Sequence, residues 1–151
     1  MKRFIFRLAR VLQLRVAAER EQARQLALVI REEEVRRVAY QESAWRLEEA
    51  IAQLRGTPRE LSTAGTLRNL ELTVLALAAE RDARGGAHQE ALSRVEAERQ
   101  RFDQARIARL AIERLRERRW EAWGEEAARE EQREHDEAAV RRTGAGGPEV
   151  R

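Results

Sequence analysis

The residue types that could carry chemistry in this chain are carboxylates, arginines and two histidines. Cysteine is absent, so the chain has neither a thiolate nucleophile nor a disulfide framework. His88 and His135 stand far apart without cysteine company, and both read as solvated side chains rather than metal ligands. The carboxylate runs Glu32–Glu34 and Glu125–Glu126 are dense enough for acid–base work. Nothing in the surrounding pattern forms a pocket that would shift their pKa values, so they read as solvated helix faces. Gly85 and Gly86 lack the strand–loop–helix setting of a phosphate cradle and read as a helix breaker. The expectation is therefore a protein that is not an enzyme, with no catalytic residues, cofactor, metal or small-molecule substrate.

Two stretches stand out as binding surfaces instead. Lys2, Arg3, Arg7, Arg10 and Arg15 form a basic set with no acid before Glu19. The simplest role for them is counter-charge to the acidic stretch Glu125–Glu137. A sharper one is a surface for an acidic protein, for nucleic acid or for a membrane, since Phe4, Ile5, Phe6 and Leu8 alternate with the arginines as in an amphipathic surface helix. Nucleic acid is disfavoured because arginines beyond this segment alternate with glutamates and leave no continuous positive track. Peripheral contact with a membrane stays open. The second stretch carries Leu67, Leu70, Val74 and Leu77, which either fold back against Leu54 and Leu92 or form an exposed apolar patch that meets a partner.

The elements that position these residues must be helices. Of 151 residues, 38% are charged and 5% aromatic, with only two prolines, and Arg, Glu, Ala, Leu and Gln dominate. Such residues keep rotamer freedom in a helix and fill a thin seam rather than a deep core. The net charge is only +3, and Lys2 is the sole lysine. No run of about 18 apolar residues is present, so no membrane span is expected. Arg7, Arg10 and Arg15 interrupt the N-terminus too often for a secretory signal, and the expected compartment is the cytoplasm.

From Ile5 a heptad seam runs through Ala9, Leu12, Val16, Glu19, Ala23, Leu26, Ile30, Glu33, Arg37, Tyr40, Ala44, Leu47, Ile51 and Leu54, broken only by Glu19, Glu33 and Arg37. Gly56, Thr57 and Pro58 end it. Thr66 is a reasonable N-cap for a short helix through Val74 and Leu77, and Gly85-Gly86 ends that one. A second long pattern follows, with Leu92, Val95, Phe102, Ala105, Ile107, Leu110, Ile112, Leu115, Trp120, Trp123, Ala127 and Ala128 as its apolar positions.

The predicted fold is all-α: a long antiparallel two-helix coiled-coil hairpin with a short helix at the tip. Residues 1–142 form a single hairpin, with helices over about 3–55 and 87–141, a tip over 56–86 and a disordered tail over 143–151. Pairing in that register brings Tyr40 to Phe102, Ile30 to Ile112, and the tryptophans to Ala18–Ala23. A parallel dimer through the N-terminal seam is the rival architecture.

The residues at both ends carry a resemblance. Leu115–Ala122 (LRERRWEA) with Ala128–Ala138 (AREEQREHDEA) resembles the C-terminal signature of the FliJ family of flagellar export proteins. Phe4–Arg15 (FIFRLARVLQLR) is similar to that family's opening; Arg133, where the family often has lysine, and Gly124 depart from its pattern. The resemblance implies a cytoplasmic, non-enzymatic, antiparallel coiled coil of the type III export apparatus, akin to the central stalk of rotary ATPases. It implies a hexameric export ATPase, a membrane-embedded export gate and export chaperones as partners. Carried over, the ATPase-facing candidates are Arg7, Leu8, Val11, Arg118, Arg119, Trp120, Glu130, Glu131 and Gln132. The gate-facing candidates are Leu67, Leu70, Val74 and Leu77, which rest on position rather than on a matched motif. The alternatives are a generic coiled-coil tether, a stalk subunit of another rotary ATPase, or a binder of membranes or nucleic acid through the basic N-terminus.

Overall fold

A computed structural model describes residues 3–60 and 62–144; of Thr143 and Gly144 only the backbone is described. All regular structure among them is helical, in two elements: α1 over Ala9–Gly56 and α2 over Ala64–Gly144. The two long helices pack against each other. The chain divides into two compact units, one of residues 18–105 and one of residues 1–17 with 106–151.

In the unit of residues 18–105 the chain folds back between Gly56 and Ala64. The Thr57 hydroxyl donates to the Gln53 carbonyl at 2.7 Å, satisfying one orphan acceptor at the end of α1, and Pro58 cannot extend the helix. Thr63, not Thr66, caps α2. Its Oγ1 accepts from the Thr66 amide at 3.2 Å and contacts the Thr66 hydroxyl at 2.7 Å. Its carbonyl takes the first helical bond, from the Leu67 amide.

No break follows at Gly85-Gly86. The stretch expected as a separate short helix is the beginning of α2, which continues for 81 residues. The cause is the seam. Leu67, Leu70, Val74, Leu77, Arg81, Arg84, His88, Ala91, Val95, Glu98, Phe102 and Ala105 alternate in steps of three and four, and every one is buried or half-buried. The glycines sit within that repeat. Continuous packing outweighs two mid-helix glycines, each costing about 1 kcal/mol.

Because the chain turns at 57–63 rather than across 56–86, the pairing register shifts. Tyr40 lies against Gly85 and stacks on His88, with ring centroids 5.9 Å apart, instead of reaching Phe102. The antiparallel direction is fixed by contacts that descend α2 as they ascend α1: Glu32 with Arg94, Glu33 with His88, Arg36 with the Ala87 carbonyl, and Ala39 with Arg84.

The α1 seam differs by one residue in half its layers. Leu26, Glu33, Tyr40, Leu47 and Leu54 are buried or half-buried as expected. Between them the inward residues are Gln22, Val29, Arg36, Ser43 and Ala50, while Ala23 and Ile30 are exposed. Arg37, Ala44 and Ile51 remain half-buried on the flank. Ser43, Ala50 and Ala91 are among the most buried residues, together with Leu47. Small side chains hold most of the fully buried positions of the seam, and bulky Ile30 lies outward.

In the unit of residues 1–17 and 106–151, α1 begins at Ala9, so residues 3–8 do not extend the helix as the periodicity predicts. Ile5, the expected start of the seam, is 77% exposed, and Ala9 is exposed as well. The expected tail over 143–151 lies outside the described residues apart from the last helical positions, Thr143 and Gly144. No helix among the described residues is long and apolar enough to cross a membrane.

Candidate interaction surfaces

The ATPase-facing candidates all fall in the unit that holds both chain ends. Phe4 packs edge-on against Trp120 at 5.1 Å between ring centroids and lies 5.9 Å from Trp123; the two indoles are 5.2 Å apart. Trp123 is half-buried in this cluster, whereas Trp120 keeps 54% of its surface exposed. The tryptophans pack on Phe4. Sequence reasoning missed Phe4 as their partner. The available signal was the pairing of aromatic residues near both ends of the chain.

Leu8 and Val11 are half-buried and help close this end, while Arg7, Arg118 and Arg119 are exposed. Phe4, Phe6 and Leu8 are half-buried on alternate residues while Arg3, Ile5 and Arg7 are exposed. Phe4, Phe6 and Leu8 are thus partly covered, while Ile5 stays 77% exposed. Lys2 lies outside the described residues.

From Ala128 onward α2 turns no described side chain inward. Every residue from Ala128 to Arg142 is exposed, Glu130, Glu131 and Gln132 among them. Its charges pair along the helix itself: Glu125 with Arg129 at 3.4 Å, Glu137 with Arg141 at 3.3 Å, and Gln132 with Asp136 at 3.0 Å. Such solvated i,i+4 pairs contribute about 0.3–0.5 kcal/mol each. Among the described residues, no ion pair joins Arg3, Arg7, Arg10 or Arg15 to the acidic stretch.

The gate-facing candidates fall in the other unit. Leu67, Leu70, Val74 and Leu77 are all half-buried on the seam of α2. The apolar residues exposed on these turns are Leu72 and Leu75, at 54% and 65%. Leu54 is half-buried, but Leu92 is exposed, as is Ile107.

A polar cluster interrupts the middle of the same unit. His88 Nε2 lies 2.9 Å from Glu33 Oε1, and both side chains are more than four-fifths buried. His88 is thus a partnered seam residue rather than a solvated one. Tyr40 covers it, and Ser43 beside it returns its hydroxyl to the Tyr40 carbonyl at 2.7 Å. Arg36 donates to the Ala87 carbonyl at 3.3 Å and to Glu32 at 2.6 Å. On the solvated side, the hydrogen bond from Arg37 to Glu34 (2.5 Å) holds the Glu34 carboxyl below its usual range and the Arg37 guanidinium above its own. No group of three or more His, Asp or Glu side chains that could hold a metal ion occurs among the described residues.

The family described as flagellar FliJ protein matches residues 4–147. No curated protein and no solved structure matches the chain.

Proposed function

The chain belongs to the FliJ family and so to the flagellar protein-export apparatus, and on that premise we propose that it is a non-enzymatic stalk and adaptor. In this reading the unit holding both chain ends engages a hexameric export ATPase. Arg7, Arg118, Arg119, Trp120, Glu130, Glu131 and Gln132 supply the contacts, and Leu8 and Val11 support them from the seam. The observation that carries the reading is the run from Ala128 to Arg142, exposed on all sides. A 15-residue helical segment without any buried face gains nothing from this chain's own core, and its exposure is explained if it is read by another protein.

The fold-back end is assigned to the export gate. Leu67, Leu70, Val74 and Leu77 hold that end together, and Leu72 and Leu75 beside them present the apolar surface. Export chaperones are further partners. The working place of such an adaptor is the cytoplasm, at the inner face of the membrane that carries the gate.

The test is to mix the purified chain with the export ATPase and follow ATP hydrolysis and hexamer assembly. The wild type should raise both, and Glu130→Arg with Glu131→Arg should weaken the effect at least severalfold. An ATPase whose rate and assembly ignore the chain would remove this reading.

A further inference from the structure

The outward side of α1 in the unit of residues 18–105 carries a second heptad. Leu28, Val35, Val38 and Trp45 are 56%, 68%, 41% and 63% exposed, and they sit about half a turn round α1 from its seam with α2. The positions that complete this repeat are charged: Arg24, Arg31, Glu42 and Glu49, all exposed. The order along the helix is Arg, Leu, Arg, Val, Val, Glu, Trp, Glu. That order is self-complementary about a point between Arg36 and Arg37.

We propose that this stripe is a docking surface for a second copy of the chain, joined antiparallel through α1 about a two-fold axis. In that register Val35 meets Val38 of the second copy, Leu28 meets Trp45, Arg31 meets Glu42 and Arg24 meets Glu49. Each pair occurs twice, giving eight layers over about 38 Å of helix. Apolar side chains meet apolar ones and every charge in the stripe meets its opposite. The flanking positions bring no like charges together, since Glu34 falls opposite Gln41 and Ala27 opposite Glu48.

Two observations support a second copy as the occupant. The charge pattern reverses sign about a single point, which a two-fold contact requires and an unrelated helix does not. Among the described residues, Arg31, Glu42 and Glu49 also form no ion pair within the chain, and Arg24 has only a 3.7 Å contact with solvated Glu21. α2 lies on the far side of α1 and leaves the approach open. The inference is independent of ATPase or gate binding.

The experiment is the mass of the full chain by light scattering and sedimentation over a wide concentration range. The wild type should pass from monomer to dimer. Arg31→Glu creates two like-charge layers and should weaken dimerisation about tenfold or more, and the double variant Arg31→Glu, Glu42→Arg should restore it. This rescue separates a lost interface from a misfolded helix, which far-UV circular dichroism checks directly. Orientation follows from oxidative cross-linking, unambiguous because the chain has no cysteine of its own. Leu28→Cys protein mixed with Trp45→Cys protein should form the mixed disulfide in preference to either self-disulfide. A monomer at every concentration, a dimer indifferent to Arg31→Glu, or self-disulfides at position 28 would each overturn the proposal.

Discussion

At the scale of single residues, the glycines of α2 show how one residue type can have two meanings. A Cβ built on Gly85 would stand 3.1 Å from Tyr40 Cε2, whereas nothing lies within 4 Å of one built on Gly86 or Gly124. Gly86→Ala and Gly124→Ala should each stabilise the helix by up to about 1 kcal/mol, because only backbone entropy opposes glycine there. Gly85→Ala has the same helix gain but must shift the Tyr40 ring by a few tenths of an ångström, so thermal melts should show it the least stable of the three. The pair beneath that ring has its own test. Glu33→Ala alone leaves the more than four-fifths buried His88 without its partner and should cost about 1–3 kcal/mol. Replacing Glu33 and His88 together by leucine should recover most of that loss, since a matched apolar pair needs no hydrogen bond. A double-mutant cycle measures the coupling; additive losses would mean that the 2.9 Å contact contributes nothing.

At the scale of elements, the helical character of the chain was legible from composition and from three-and-four spacing, and so were the stop at Gly56-Thr57-Pro58 and alternate layers of the α1 seam. The Gly85-Gly86 break was misread because glycine is both a helix terminator and a residue that admits a neighbouring ring; only the position of Tyr40 tells which. The seam register was ambiguous for a related reason. Both Ile30 and Val29, or Ala44 and Ser43, satisfy a heptad through Glu33 and Tyr40, and apolarity favours the wrong member. What decides is how closely α2 approaches, which depends on small residues of the partner helix such as Ala91. The same logic separates two neighbouring residues near the start of α2. Leu77 is half-buried on the seam and Leu75 is 65% exposed on the other face. Leu77→Ala should therefore destabilise by about 2 kcal/mol and Leu75→Ala by no more than about 0.5 kcal/mol in chemical denaturation. If Leu75→Ala instead weakens gate binding with stability intact, the exposed face rather than the seam carries that contact.

At the scale of the whole molecule, the candidate ATPase contacts were legible only as types of residue. Their accessibility was not, because a charged helix that packs and a charged helix that stands free have the same composition. Burial divides the nine named residues into Leu8 and Val11, which support the fold, and seven exposed ones available to a partner. This division makes stability and function separable in one truncation. Ending the chain after Ala127 removes a segment in which every residue with a described side chain is exposed and, among the described residues, only the Arg129–Glu125 ion pair reaches back to the chain that remains. The transition of the remaining chain in thermal or urea unfolding should hardly move, because no side chain described as buried or half-buried is lost. ATPase stimulation should fall sharply, since Glu130, Glu131 and Gln132 go with it. The control is Leu47→Ala, at a residue 8% exposed, which should lower stability by about 2–4 kcal/mol and leave the affinity of the chain that remains folded unchanged. A truncated chain that still stimulates the ATPase fully would move the contact to Arg118, Arg119 and Trp120. One that unfolds would mean that the exposed segment props up the aromatic cluster at Phe4 rather than serving a partner.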